Sequence, residues 1–207
     1  MSELEIIEKV QGVRCKEDEE DKWDWSRNGY SIKEAYSSII EGYVVEDSSE
    51  LTDVWNDLIP LKVSALVWRI MQNRIPTKDN LVKRGVLIES QKLCSFGCGK
   101  EENVSHVFYE CKLAAEVWQH VLKWLNISSA LQTTTLSNFL QFKGLIASGR
   151  VRTERFIVIW YACIWILWKG RNEKTFKDKN GSLETWFEGI KLLSWKWFYL
   201  ICLGRIC

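Results

Sequence analysis

Proline and histidine are scarce in this sequence, with two of each in 207 residues. So few prolines, with polar gaps that are mostly short, argue against a turn-rich all-β chain and for helices. Long apolar runs are missing too. The most apolar stretch, FIVIWYACIWILW from Phe156 to Trp168, has thirteen residues, short of the ~20 needed to span a bilayer. It is expected to be a buried helix, and no membrane partner is expected. The opening MSELEIIEKV is acidic and carries no apolar h-region, so the sequence predicts an intracellular protein, nuclear or cytoplasmic, that is not secreted. Without secretion, seven cysteines do not suggest a disulfide framework; clustered cysteines in a reducing compartment hold metal or do chemistry. Internal repeats and low-complexity tracts are absent.

Apolar residues make up 46% of the chain, enough for a core and against wholesale disorder. Twelve tryptophans are several times the usual share and point to packing, in the core or against a partner. Net charge is only +1 but uneven: residues 1–60 hold 6 basic and 16 acidic side chains, 61–140 hold 10 and 6, and 141–207 hold 12 and 5. A basic end marks either a nucleic-acid surface or the complement of the acidic start within one folded unit.

Residues 1–22 read as an acidic, loosely ordered leader. Trp23 and Trp25, then Asn28-Gly29, then Tyr30 to Ile32 give a short β-hairpin, and a helix follows from Ser31 through Ile32, Ala35, Tyr36, Ile39 and Ile40. Val54, Trp55 and Leu58 suggest a short helix closed by Pro60. KVSALVWRIMQNRI predicts a helix buried along Val63, Leu66, Val67, Ile70 and Met71. Thr77 caps a further turn or two that Gly85 ends. A helix from Lys112 is expected to bury Ala115, Val117, Trp118, Val121, Leu122 and Leu125. A linker at 128–137 then separates a helical C-terminal region, 138–207, with helices near 138–148, 151–174 and 183–203.

Between the central helices lies LCSFGCGKEENVSHVFYEC, residues 93–111, holding three of the seven cysteines and one of the two histidines. The spacing is Cys94-x3-Cys98-x7-His106-x4-Cys111. Tetrahedral zinc needs four such ligands, about 2.0–2.3 Å from the ion. A close cysteine pair supplies two from one tight turn, and Gly97 and Gly99 free the backbone around Cys98. His106 and Cys111 suit presentation from one helical turn or its frayed end. The sequence therefore predicts one structural zinc.

Two other readings stand beside it. Cysteines are often small buried hydrophobes, the role expected of Cys15, Cys163 and Cys202, with Cys207 terminal. A Cys–His pair can also make a nucleophile and its base, with His106 or His120 as the base. A filled four-ligand site leaves neither a free thiolate nor an open position for water, so no catalytic residue is assigned. The Cys, Cys, His, Cys order is that of knuckles that stack bases on aromatics; Phe96, Phe108 and Tyr109 are placed either for that or for packing the loop on neighbouring helices. Glu101, Glu102 and Glu110 weigh against phosphate nearby.

WSRNGYSIKEAY, VWNDLIPLKVSALVWRIMQNRIPTKDNLVKRGV and LCSFGCGKEENVSHVFYECKLAAEVW, in that order, resemble the zinc-binding domain of plant non-LTR (LINE-type) retrotransposon reverse transcriptases. The later IWILWKGRNEKTF is similar to the segment that often trails it, so the resemblance spans roughly Trp23 to Phe176, with the domain itself over 23–127. It implies Cys94, Cys98, His106 and Cys111 as zinc ligands, although many members space the first pair by two residues rather than three. It also implies architectural roles for Trp25, Gly29, Tyr30, Ser31, Lys33 and Tyr36, and for Trp68, Arg74, Pro76, Thr77, Leu81 and Gly85. The implied partners are RNA or single-stranded DNA and the polymerase domain of the parent element, with no small-molecule substrate. Polymerases need clustered carboxylates for two metal ions, and the sequence has no Tyr-x-Asp-Asp and no endonuclease or RNase H carboxylate set. A non-enzymatic fragment of a retroelement is expected, a mostly α fold with one N-terminal hairpin.

Overall fold

The computed structural model describes residues 54–144 and 150–204. The leader, the hairpin, the helix from Ser31, Cys15 and Cys207 lie outside the described residues. Within them the chain is helical: α1 Leu61–Met71, α2 Lys78–Lys83, a 3-10 turn Glu89–Gln91, a π-helical turn His106–Glu110, α3 Lys112–Trp124, α4 Thr135–Gly144, α5 Arg150–Lys177 and α6 Leu183–Gly204. Extended pairing among the described residues is a single antiparallel bridge, Leu93 with Glu101.

The short helix expected at 54–59 does not form. Asn56 ties this stretch into a turn, its Oδ1 accepting the Leu58 N–H at 2.9 Å and its carbonyl the Ile59 N–H at 3.0 Å, a bond pattern that competes with a helix. Pro60 opens α1 rather than closing what precedes it. Its ring holds φ at −55°, near the helical value, where a missing N–H costs nothing, and its carbonyl accepts from Val63 and Ser64. Val63, Val67 and Ile70 form the buried stripe of α1, while Leu66 and Met71 stay at its margin. Thr77 caps α2 as expected, and the buried Asn80 amide holds the turn between α1 and α2 together, donating to Asn73 O, Asn73 Oδ1 and Ile75 O at 2.8–3.0 Å. Gly85, at φ +70°, ends that helix. On α3 the stripe runs Ala114, Val117, Trp118, Val121 and Leu122, one position off the expected Ala115.

The connection after α3 runs over 125–134, three residues ahead of the expected 128–137 linker, and Thr134 ends it by capping α4, accepting the Ser137 N–H at 3.2 Å. Buried side chains on either side of it share one core. The centre of that core is α5, whose residues from Phe156 to Ile164 are all buried, as an apolar helix with no polar face must be. The π turn, α1, α3, α4 and α6 pack around it. Its polar ring atoms are satisfied: Trp160 Nε1 donates to Asn138 Oδ1 and the Tyr161 hydroxyl to Val54 O, both at 2.7 Å. Cys163 is fully buried there, a packing residue as expected. α6 folds back along α5, close enough that Trp186 lies directly on Gly170, where a Cβ would stand 2.0 Å from the indole. No described helix is long and apolar enough to cross a membrane.

Candidate metal centre

Residues 92–102 form a tight loop closed by backbone bonds from Cys94 N–H to Lys100 O at 2.8 Å and from Glu102 N–H to Lys92 O at 2.9 Å. Gly97 and Gly99, on either side of Cys98, have φ of +74° and +79°. Nothing lies within 4 Å of where their Cβ atoms would be, so backbone conformation, not crowding, calls for glycine. This turn aims Cys94 and Cys98 at one point. The Phe96 N–H also donates to Cys94 Sγ at 3.4 Å.

The other pair comes from the π turn. On an α-helix, residues five apart lie about 140° out of phase at 3.6 residues per turn. Here the Cys111 N–H bonds the His106 carbonyl at 2.8 Å, an i→i+5 link whose wider turn returns Cys111 to the side of His106. Asn103 starts this turn by accepting the His106 N–H through Oδ1 at 2.8 Å.

All four expected residues converge, their donor atoms lying within 4.8 Å of one another. Cys94 Sγ and Cys111 Sγ are 3.9 Å apart, and Cys98 Sγ and His106 Nε2 are 3.2 Å apart. Zinc with bonds of about 2.0–2.3 Å sets tetrahedral ligand separations of about 3.3–3.8 Å, so the set fits. His106 is 1% exposed, and its Nδ1 is buried with no hydrogen-bond partner. The nitrogen turned toward the sulfurs is Nε2, 3.2 Å from Cys98 Sγ, so it is the atom placed to bind an ion. The hydrogen bond to Cys111, together with burial, pushes the Cys94 thiol up to about 12, and the same bond lowers Cys111 to about 7. Of the pair, Cys111 is thus the readier to give up its proton to a cation. Cys98 is exposed while Cys94, His106 and Cys111 are buried, so the cluster meets solvent on one side.

Beside the cluster sits a buried carboxylate that sequence reasoning misjudged. Glu102 was expected to repel phosphate, yet its side chain is 1% exposed and receives Arg171 of α5 at 2.6 Å and 3.0 Å. It also accepts the Lys78 N–H at 3.2 Å, opening α2, and the Ser95 N–H and hydroxyl at 3.1 and 2.6 Å. Burial raises the Glu102 carboxyl, but the Arg171 guanidinium and Ser95 outweigh it and hold the group below its ordinary range. Glu101 is engaged by Lys92 at 2.6 Å. Glu110, the third glutamate, lies exposed.

Arg171 went unremarked in the sequence, although it continues the spacing of Trp160, Ile164 and Leu167, where a buried charge needs a partner. Its neighbours complete the dock: Trp168 stacks on Phe108 at 6.2 Å and lies under the guanidinium at 5.0 Å, and Thr175 Oγ1 meets Ser95 Oγ at 2.9 Å. Phe108 and Tyr109 are enclosed and offer no face to a base; Phe96 packs edge-on against Trp186 at 5.6 Å. His120 is exposed on α3, held by the Glu116 carbonyl at 2.9 Å, and is not part of the cluster.

A Cys3His cluster set into a helical scaffold by a glycine turn and a π turn defines a zinc-binding domain with a single structural site. Residues 30–118 match the family described as zinc-binding in reverse transcriptase. No curated protein and no solved structure matches the chain. The family match ends at Trp118, so Arg171 and Trp168, which seat the metal loop, come from beyond it.

Proposed function

We propose that Cys94, Cys98, His106 and Cys111 hold one zinc ion in a non-catalytic domain descended from a plant non-LTR retrotransposon reverse transcriptase, where it helped to hold template RNA or target DNA. The observation that carries this is the closed, largely buried four-donor cluster. Four protein ligands leave no position for a reacting water, the mark of a structural site, and the ion would contribute folding energy to the loop it closes. The lack of a Tyr-x-Asp-Asp and of nuclease carboxylates in the sequence supports a non-enzymatic role. Atomic emission on protein purified without chelator tests the metal: one zinc per chain is expected, and a value near zero refutes it. Salt-dependent binding to RNA or single-stranded DNA tests the ancestral role, because phosphate contacts lose affinity as salt rises.

A second reading, a protein-interaction module, rests on α6. Leu192, Trp195 and Tyr199 are 69%, 70% and 55% exposed and fall on one helical face at coiled-coil spacing. The polymerase domain of the parent element is the partner to try. Capture of that domain by the wild type but not by Trp195→Ala, with no strand binding at low salt, would favour this reading.

A further inference from the structure

A groove of about 360 Å³ runs between α1 and α5, walled by Leu66, Trp165, Trp168 and Phe176. Its outer wall is unusual: Phe176, in the last turn of α5, is 76% exposed. The groove also gathers positive charge. Lys169 and Lys177 line it, and Lys62 reaches over the Trp165 ring at 5.3 Å. Glu173 is the one acid among the lining residues, and it lies 3.7 Å from Lys169. Aromatic faces interleaved with cations are the means by which proteins hold single strands: each base has a π-face, and each phosphate draws a lysine.

We infer that this groove is a binding site for single-stranded nucleic acid, with an unpaired base stacked against Phe176 and Trp165 and the adjoining phosphates met by Lys62, Lys169 and Lys177. The inference rests on the nucleic-acid reading proposed above and gives it a location away from the zinc loop, whose own aromatics are enclosed. A duplex does not fit the chemistry, because its bases already stack on one another and present no free face. Asn172 lines the same groove, and its Oδ1 is taken by Arg171 at 2.9 Å. That leaves the amide N–H groups as donors to a base edge, which fits RNA and DNA strands alike.

The test is fluorescence anisotropy with the zinc-loaded full chain and labelled oligo(U) and oligo(dT) of about ten nucleotides, alongside a duplex of the same length. Phe176→Ala removes an exposed ring and should fold normally. It is expected to weaken both strands about tenfold, within the range for one stacked base, without altering the salt slope. Lys177→Ala is expected to lower the magnitude of the slope of log affinity against log salt by about 0.7. Trp195→Ala, an equally exposed aromatic on α6, should leave binding unchanged. If the wild type binds single strands but Phe176→Ala binds equally well, or Trp195→Ala loses as much, the groove is not the site and the broader reading survives. Binding of duplex as tight as single strand also overturns the groove. No binding of any strand at low salt overturns both.

Discussion

Arg171 on α5 and Glu102 beside the metal loop are 69 residues apart in sequence and 2.6 Å apart in space, each almost completely enclosed. Breaking a buried pair leaves an uncompensated charge and costs about 3–5 kcal/mol, whereas replacing both partners with apolar groups is often neutral. Arg171→Met should therefore lower the urea midpoint steeply, and the double variant Arg171→Met/Glu102→Met should recover most of the loss. A double variant no better than the single one would show that the pair does not act as a unit.

The same pair sets a pH dependence. Glu102 has a folded pKa held below its unfolded value, so its stabilisation is present above the ordinary carboxylate range and is lost as pH falls through the depressed folded value. Glu102→Gln should thus be less stable than wild type at pH 6, with the gap narrowing as the pH drops below about 4. Urea unfolding of both proteins across that range, compared at each pH so that loss of metal in acid affects both, checks the sign.

The buried cysteines separate by role. Cys111 and Cys163 are both almost inaccessible, at 3% and 0%, but only Cys111 belongs to the donor cluster. Cys111→Ala should lose its zinc and Cys163→Ala should keep one per chain, as read by atomic emission. His106→Cys, a conversion to another zinc donor set, should retain the ion.

Removing the metal should loosen more than the loop. Phe108 of the π turn stacks on Trp168, and Glu102 of the loop holds Arg171, so chelation should diminish the near-ultraviolet circular dichroism of the tryptophans as well as lower Tm. Unchanged aromatic signals after chelation would mean that α5 does not depend on the zinc loop.

Gly170→Ala offers a test of helix packing in which propensity and contact oppose each other. Alanine is about 1 kcal/mol better than glycine inside a helix, yet its Cβ would lie 2.0 Å from the Trp186 ring. Overpacking of this kind costs about 1–3 kcal/mol, so the variant should be less stable, and Gly170→Ala combined with Trp186→Leu should recover part of the loss.

Much of this molecule is legible in its sequence because the signals are local. Spacing identified Cys94, Cys98, His106 and Cys111; periodicity gave α1, α3, α5 and α6; and an apolar run too short for a membrane marked the central helix. The errors were local as well. Pro60 stops or starts a helix according to what Asn56 does before it, and Thr134 sets the start of α4 by a cap that competing threonines obscure. What no local signal carried was the fate of charge. Glu102 in a loop of glutamates reads as solvated, and Arg171 after a tryptophan-rich helix reads as a surface cation. Only the packing of α5 against the metal loop brings the two out of water together, since the cost of burying either alone is met by a partner that sequence distance hides. The four donors and the helices were therefore determined by the sequence itself, while the tertiary structure decided that the domain extends to α5 and that its loop acid is neutralised.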